Sequence, residues 1–302
     1  MTLPRRQFLA GLACSIAAGR LPAAEYRAGE TFWGDQKYVE YLAGDLPVVI
    51  AAPHGGREKP AEIPDRDEGT FAFDTNTQEL ARAVADVFLQ RTGHRPHVIL
   101  CRVHRRKVDC NREVVEGAGG NAIAGGVWED FQGFITAARE AVVAQHRRGF
   151  FIDLHGHGHK DQRLEIGYLH RREMYAQPDA AINRPEIIAA GSLRALARSS
   201  PHPYVELLRG PLSFGALMEK EGFPCTPSPG QPVPSDPYFS GGHNVQRHAR
   251  YAENFAGLQI ETNFKGVRDV PENRERFAQA LLAALTGYLG THLDLRLPRA
   301  VR

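Results

Sequence analysis

The sequence is poor in cysteine and nearly neutral, and each of these features excludes a class of protein. Only four of the 302 residues are cysteines, and Cys14 lies in an apolar N-terminal segment. The other three are an odd number without a C-x-x-C pair, which argues against a dense disulfide framework and a cysteine-based zinc site. The spacing leaves a bridge between Cys101 and Cys110 open. A formal net charge of +2 gives no basis for nucleic-acid binding.

The N-terminus lacks an apolar run long enough to span a bilayer. Arg5 and Arg6 precede the apolar stretch 9–18, and small residues end the segment near Ala24. This order is typical of a secretory signal, and the arginine pair favours a twin-arginine route; an amphipathic helix is the alternative. The sequence therefore predicts a signal peptide over 1–24, a periplasmic or secreted location and no stable membrane anchor.

The remaining residues, 25–302, show no internal repeat and alternate between strand-like and helical patterns. Strands are predicted over 97–103 and 164–169. Helices are predicted after a cap at 75–78, around 128–142, over 186–198 and from Pro271 onward. This alternation predicts a single α/β domain over 25–302, with a central mixed or mostly parallel sheet flanked by helices.

Two histidines stand where short apolar runs end in glycine-rich turns. His54 follows the run 48–53, and His155 ends the run 150–154. Strand ends in open α/β sheets are where such proteins build their sites. Neutral imidazole is a good zinc donor, so these two residues are predicted to ligate a metal ion. Asp153, two residues before His155, is expected on the same side of its strand, where it orients the ring.

A third apolar run, 257–260, ends in Glu261. A carboxylate near a metal-bound water, but not itself a ligand, serves as a general base in hydrolysis. Two ligand-type histidines and one such carboxylate indicate a hydrolytic zinc site.

Several motifs, in this order, resemble the N-formylglutamate amidohydrolase family, distant relatives of the zinc carboxypeptidases. The matching segments are Pro53-His54-Gly55-Gly56, Val108-Asp109-Cys110-Asn111-Arg112, Asp153-Leu154-His155-Gly156, Tyr238-Phe239-Ser240-Gly241-Gly242 and Ile260-Glu261. The resemblance implies a zinc-carboxypeptidase-like fold and one zinc ion per chain. It also implies His54 and His155 as ligands and Glu261 as the catalytic base.

The third metal ligand has two candidates. The carboxypeptidase pattern His-x-x-Glu is broken, because Arg57 stands at the third position after His54. Glu58 is one residue further along the chain. Asp74 opens the next predicted helix, and it takes the place of the missing glutamate if the loop between is an insertion. Asp74 is the preferred candidate.

The resemblance also implies substrate-binding residues. Asn111 and Arg112 match the pair that holds a substrate carboxylate, and Arg105 or Arg106 is a further candidate for the carboxylate or the scissile carbonyl. Of these two arginines, Arg106 is predicted to belong to the site. Gly241 and Gly242 are predicted to let the backbone approach the substrate.

Three more polar residues extend the predicted site. His157 and His159 are expected on the same side as His155, touching substrate or a second metal ion, or supporting the groups that do. Glu165 is predicted to be a buried supporting acid.

Together these features predict an exported zinc-dependent hydrolase acting on an amide next to a carboxylate. The substrate is expected to be an N-acyl amino acid or a peptide. The alternatives are a carboxypeptidase-like or γ-glutamyl or cell-wall peptide hydrolase, and a non-catalytic periplasmic metal-binding protein.

Overall fold

A computed structural model describes residues 26–250 and 254–298 of the chain. The predicted signal peptide over 1–24 lies outside the described residues. Among the helices that are described, none combines the length and the apolar character needed to cross a membrane.

One mixed sheet of eight strands, in the order β1-β2-β4-β3-β5-β8-β6-β7, forms the centre of the fold. The strands are β1 (Thr31–Trp33), β2 (Val39–Leu42), β3 (Val48–Ala52), β4 (His97–Cys101), β5 (Gly149–Gly156), β6 (Leu164–Gly167), β7 (Cys225–Thr226) and β8 (Phe255–Thr262). Strands β4, β3, β5 and β8 are parallel, whereas β2 and β6 pair antiparallel with β4 and β8. The predicted α/β fold with a mixed sheet is confirmed.

Helices cover both faces of this sheet. They are α1 (Thr77–Thr92), α2 (Val114–Ala118), α3 (Ala122–His146), α4 (Arg172–Tyr175), α5 (Asp179–Ile182), α6 (Pro185–Ala190), α7 (Arg194–Ser199), α8 (Tyr204–Arg209), α9 (Phe214–Lys220) and α10 (Pro271–His292). The apolar sides of α1, α10 and the short helices α7–α9 bury one face, and α3 buries the other. The predicted helix from Pro271 is confirmed as α10.

Strand alternation decides which polar residues share a face. On β5, Ile152 and Leu154 belong to the core beneath α1 and α10. Successive side chains of a strand point to opposite faces, so Asp153 and His155 lie on the α3 side. On β8 the same alternation places Glu261 on that side. These polar residues therefore meet at the carboxyl end of neighbouring parallel strands.

The prediction of one helix over 186–198 is wrong, because α6 and α7 are separated at Gly191. This residue is extended, with φ −82° and ψ 160°. A Cβ at Gly191 would overlap the hydroxyl of Tyr204, so glycine allows α8 to pack against the break. Helical periodicity continues across 186–198, but this tertiary contact interrupts the helix.

We expect acid to destabilise the protein through His97, at the start of β4. Its Nδ1 accepts hydrogen bonds from the Tyr41 hydroxyl at 2.8 Å and the Gly44 N–H at 3.2 Å. Burial lowers the pKa of His97 from 6.5 to about 4. The native state therefore favours neutral His97. The contribution of His97 to the free energy of unfolding is complete above pH 6.5, and it declines by about 3 kcal/mol as the pH falls from 6.5 to 4.

Urea unfolding with chelator at pH 7 and pH 4 measures this effect. The His97→Gln variant lacks the titrating ring, so its unfolding free energy should fall about 3 kcal/mol less than that of wild type over this interval. Equal pH dependence in the two proteins would show that His97 titrates normally in the native state.

Candidate active site

Three ligand-type side chains converge at the carboxyl end of the central strands. His54 follows β3, His155 lies on β5 and Asp74 precedes α1. The two Nδ1 atoms lie 3.2 Å apart, and Asp74 Oδ2 lies 3.3 Å from that of His54 and 3.2 Å from that of His155. All three side chains are buried. Atoms about 2.0–2.2 Å from a tetrahedral zinc ion lie about 3.3 Å from one another, so this donor set fits zinc.

The outer nitrogen of each histidine meets a second carboxylate. His54 Nε2 lies 2.8 Å from Asp109 Oδ1, and His155 Nε2 lies 2.9 Å from Asp153 Oδ2. An ionised carboxylate only accepts hydrogen bonds, so Nε2 carries the proton of each neutral ring and donates. Each neutral ring then keeps its Nδ1 lone pair, and both lone pairs face Asp74. This outer support is typical of histidines that bind a metal ion.

The pKa values of His155 and Asp74 are shifted because carboxylates and imidazoles are buried close together. Burial lowers the pKa of His155, but Asp153 and Asp74 outweigh it and hold that pKa well above its usual value. Burial raises the pKa of Asp74, yet His54 and His155 outweigh burial and keep it low. Without a metal ion, positive charge on His155 balances part of the negative charge of the carboxylates. A bound cation replaces that charge, so metal binding releases protons.

Local contacts tie the Asp74 loop to the end of β3. The Thr77 hydroxyl lies 2.9 Å from the carbonyl oxygens of both His54 and Asp74. Gly55 has a φ of 89°, and a Cβ there would overlap Thr77 Oγ1, so the approach requires glycine. The predicted cap at Thr75 is wrong: α1 begins at Thr77, whose hydroxyl joins the two ligand segments instead.

Glu58, the alternative third ligand, lies away from the histidines. It forms a bridge with Val103, and its carboxylate pairs with Arg102. The Glu58 side chain is 36% exposed, against 7% for Asp74. The structure therefore brings Asp74, and not Glu58, to His54 and His155.

Asp109 had no role in the sequence-based prediction, yet it connects His54 to an arginine. Arg105 Nε donates to Asp109 Oδ2 at 2.8 Å, and Arg105 Nη1 lies 3.9 Å from Asp74 Oδ1. Arg106, the arginine chosen from the sequence, lies outside the cavity and 3.8 Å from Asp65. The structure therefore places Arg105, and not the predicted Arg106, beside Asp109 and Asp74.

The two residues predicted to hold a substrate carboxylate take different positions. Asn111 Nδ2 lies 3.2 Å from His155 Nε2, and its Oδ1 accepts from the Asn244 N–H at 2.9 Å. The oxygen of this amide is thus hydrogen-bonded inside the site, and its nitrogen lies against the His155 ring. Arg112 lines the cavity with its side chain one-third exposed, and its Nε pairs with Glu116 at 3.0 Å. Arg112 is therefore the better placed of the two to reach a ligand.

Glu261 lies beside His155, since the two residues are partners in the β5–β8 register. It is buried, and Gln259 Nε2 donates to its Oε1 at 3.1 Å. Burial raises the pKa of Glu261 to about 8, although His155 opposes the rise. A carboxyl group that exchanges a proton near neutral pH suits general acid–base work. A bound cation would lower this pKa.

His157 and His159 form part of the cavity wall. His157 donates from Nε2 to the Arg163 carbonyl at 2.8 Å and accepts at Nδ1 from the His159 N–H at 3.1 Å. Both His157 nitrogens are therefore occupied, which disfavours a second metal ion. His159 Nδ1 lies 2.8 Å from the buried Glu165, and its ring stacks on Phe239 with centroids 4.7 Å apart.

A cavity of about 450 Å³ opens onto His54, Asp74, His155 and Glu261. Gly241 and Gly242 line it, with Gly241 at a φ of 114° and Gly242 packed against the Asn111 amide. A Cβ at Gly242 would overlap that amide, so glycine lets the chain pass closely over the site. The volume suits a small ligand rather than a folded protein.

The fold is similar to that of a solved amidohydrolase. N-formylglutamate amidohydrolase from Ralstonia eutropha JMP134 aligns with a TM-score of 0.53 at 14% identity, over 85% of this chain and 99% of that chain. At 14% identity this likeness shows the fold alone. The family resemblance predicted from the motifs is therefore supported at the level of the fold.

Two further solved structures align less well, with TM-scores below 0.5. A gene product from Agrobacterium tumefaciens has a TM-score of 0.46 at 13% identity, over 83% of this chain and 94% of that chain. The succinylglutamate desuccinylase from Chromobacterium violaceum has a TM-score of 0.35 at 12% identity, over 92% of this chain and 77% of that chain. No protein-family model and no curated protein matches the sequence.

Proposed function

We propose that this protein is a zinc-dependent amidohydrolase that cleaves an amide next to a carboxylate. One observation carries the proposal: two buried Nδ1 atoms and Asp74 Oδ2 lie within 3.2–3.3 Å of one another. Two neutral rings held this way and the Asp74 carboxylate present three acceptors to one point, an arrangement that a cation stabilises. Two imidazoles and one carboxylate are the protein ligands of many hydrolytic zinc sites.

Residues around this point have distinct tasks in hydrolysis. When bound, zinc supplies a Lewis acid that polarises a carbonyl and lowers the pKa of water. Glu261 accepts a proton from the attacking water and returns it to the leaving nitrogen, so one water is consumed and an acid and an amine are released. Gln259 orients the Glu261 carboxylate through its hydrogen bond. Asp109 and Asp153 hold the imidazole rings in place.

Arg112 supports a substrate that bears a carboxylate. Its Nε pairs with Glu116 and its Nη1 donates to the Asn111 carbonyl at 2.9 Å. Among the hydrogen bonds of the described ranges 26–250 and 254–298, none uses Arg112 Nη2, so that end is available to a ligand at the cavity wall. A guanidinium binds carboxylate more strongly than it binds a neutral amide.

The predicted export refines the substrate within this proposal. An exported enzyme meets peptides, N-acyl amino acids, γ-glutamyl polymers or wall fragments, whereas N-formylglutamate hydrolysis in histidine breakdown takes place in the cytoplasm. We therefore propose N-acyl amino acids or short peptides as the substrate class. A non-catalytic metal carrier needs neither a base at Glu261 nor an anchor at Arg112.

Paired substrates test this proposal. Zinc-loaded protein should hydrolyse N-acyl amino acids or dipeptides with a free carboxylate in preference to the matching carboxamides. Arg112→Ala should raise KM for the free acids about tenfold or more, because it removes a charge-assisted hydrogen bond, and should change KM for the carboxamides much less. Arg106→Ala, outside the cavity, is the matched control and should leave both values unchanged.

Steady-state kinetics on both substrate series decide the outcome. An equal KM increase for acids and carboxamides would make Arg112 a structural residue and remove the carboxylate-bearing substrate class. Zinc binding without hydrolysis of any substrate would favour the metal carrier.

A further inference from the structure

A buried guanidinium links the segments that carry the proposed ligands and base. Arg268 lies in the turn Phe264–Arg268 between β8 and α10, and it is 2% exposed. Among the described residues, Arg268 has no carboxylate partner within 4.0 Å, and Asp74 and Glu261 act on its charge only from further away. A buried charge without such a pair is costly unless hydrogen bonds compensate it.

Backbone carbonyl groups provide that compensation for Arg268. Its Nε donates to the Thr262 carbonyl at 3.2 Å, and its Nη2 donates to the His157 carbonyl at 3.1 Å. Its Nη1 donates to the Thr75 carbonyl. Each acceptor is one or two residues from a proposed functional residue: Thr75 follows Asp74, His157 follows the ligand on β5, and Thr262 follows the base on β8.

Gly156 makes room for this guanidinium. A Cβ at Gly156 would overlap the Cζ, Nη1 and Nε atoms of Arg268. Gly156 directly follows His155, and its N–H lies 3.2 Å from Asp74 Oδ2. Gly156 therefore has two roles. Its N–H donates to Asp74, one of the proposed ligands, and its missing side chain leaves space for the Arg268 guanidinium.

The backbone of Arg268 is anchored to the same loop. Asn76 Nδ2 donates to the Arg268 carbonyl at 3.0 Å, and Arg274 on α10 donates to it at 2.8 Å. Asn76 has a φ of 64°, an uncommon conformation for a residue other than glycine. The Arg268 turn and the Asp74 loop are thus joined by two hydrogen bonds. One runs from the Arg268 side chain to the Thr75 carbonyl, and the other runs from the Asn76 side chain to the Arg268 carbonyl.

We infer that Arg268 is a positioning residue that holds the segments of Asp74, His155 and Glu261 in one arrangement. The inference rests on the proposed function, which assigns those three residues as ligands and base. A guanidinium suits this task because its planar fork presents donors in several fixed directions at once. A lysine ammonium keeps the charge but cannot span all three carbonyl groups in that fixed geometry.

Arg268→Lys and Arg268→Gln test the inference by chelator competition and by steady-state kinetics. We expect zinc affinity and kcat to fall about 10–100-fold, the scale for residues that support metal ligands, with KM within about threefold. Arg268→Lys should retain more of both than Arg268→Gln. Arg82→Lys, an arginine paired with Glu40 away from the cavity, is the control for the substitution.

Gly156→Ala tests the same contact from the other side and remains informative if the arginine variants fail to fold. It should weaken zinc binding, whereas Gly158→Ala should keep wild-type zinc affinity because a Cβ there has open space. If both variants act through one contact, Gly156→Ala combined with Arg268→Lys should lose less than the product of the two single losses.

Distinct results separate the possible failures. Lower thermal stability with wild-type zinc affinity and kcat in the folded arginine variants would make Arg268 a merely structural residue. If the losses of zinc affinity in Gly156→Ala and Arg268→Lys simply multiply in the double variant, the two residues do not act through one contact, and the inference is overturned. Wild-type protein that neither binds zinc nor hydrolyses an amide would overturn the proposed function instead.

Discussion

His54→Ala, His155→Ala and Asp74→Ala are each expected to release zinc and abolish hydrolysis together. The three ligand atoms lie 3.2–3.3 Å apart, so removing one leaves two protein donors. Zinc binding to a full set of four protein ligands is worth about 10–16 kcal/mol, or about 3 kcal/mol for each ligand. Each substitution should therefore weaken zinc binding about a hundredfold or more.

Elemental analysis of purified protein and chelator competition measure this loss. Wild type should carry about one zinc ion per chain. Glu58→Ala is the matched control, because Glu58 is a carboxylate of the same connection that pairs with Arg102 instead. Full zinc retention in both histidine variants would remove the metal centre. Loss of zinc in Glu58→Ala with retention in Asp74→Ala would transfer the third ligand to Glu58.

Glu261→Gln is expected to keep zinc and lose catalysis. Glutamine preserves the size of the side chain but cannot accept the proton of the attacking water. General acid–base catalysis contributes about 10²–10⁴-fold, so kcat should fall by at least two orders of magnitude. Zinc content should match wild type, because Glu261 is not among the three ligand residues that converge at the site.

The pH profile provides a second readout for Glu261. The base works only when ionised, so kcat of wild type should rise with pH through the pKa of Glu261. Burial raises that pKa to about 8 in the metal-free protein, and bound zinc lowers it. The residual activity of Glu261→Gln should lack this rise.

Glu40→Gln is the control for the base, since Glu40 is also a buried strand glutamate, on β2, but it pairs with Arg82 of α1. It should leave kcat unchanged. Loss of zinc in Glu261→Gln would make Glu261 a ligand rather than the base. An unchanged kcat would assign proton transfer to another group.

The fold and the first two candidate ligands are largely accessible from sequence because their signals are local. Short apolar runs that end in glycine-rich turns predict the strands before His54 and His155, and both strands are present in the sheet. Proline at the first position and a continuous apolar face predict α10 from Pro271. The prediction of a single helix over 186–198 was wrong because Tyr204 packs against Gly191, and helical periodicity gives no signal of that contact.

The third candidate ligand shows where local signals end. Glu58 and Asp74 are both carboxylates between β3 and α1, and spacing alone left both open. The contacts of Thr77 with the carbonyls of His54 and Asp74 decide the path of the connection. Such contacts depend on how the end of β3 and the start of α1 approach each other in the folded protein.

Neighbouring arginines illustrate the same limit. Arg105 and Arg106 are adjacent, yet one contacts Asp109 and the other lies near Asp65. Asp109 stands two residues before Asn111 in one of the motifs that carry the family resemblance, so a signal for it was present in the sequence. Its partner, His54, lies 55 residues away, and only the fold joins the two.

The sequence by itself determined the α/β class, the strand-end positions of His54, His155 and Glu261, and the glycines at close turns. These depend on periodicity and turn chemistry, which act over a few residues. Tertiary structure decided that Asp74 joins the histidines, that Arg105 rather than Arg106 lies beside them, and that Arg268 links three segments. Those outcomes depend on contacts between residues up to 193 positions apart, because sheet order and loop packing bring them together.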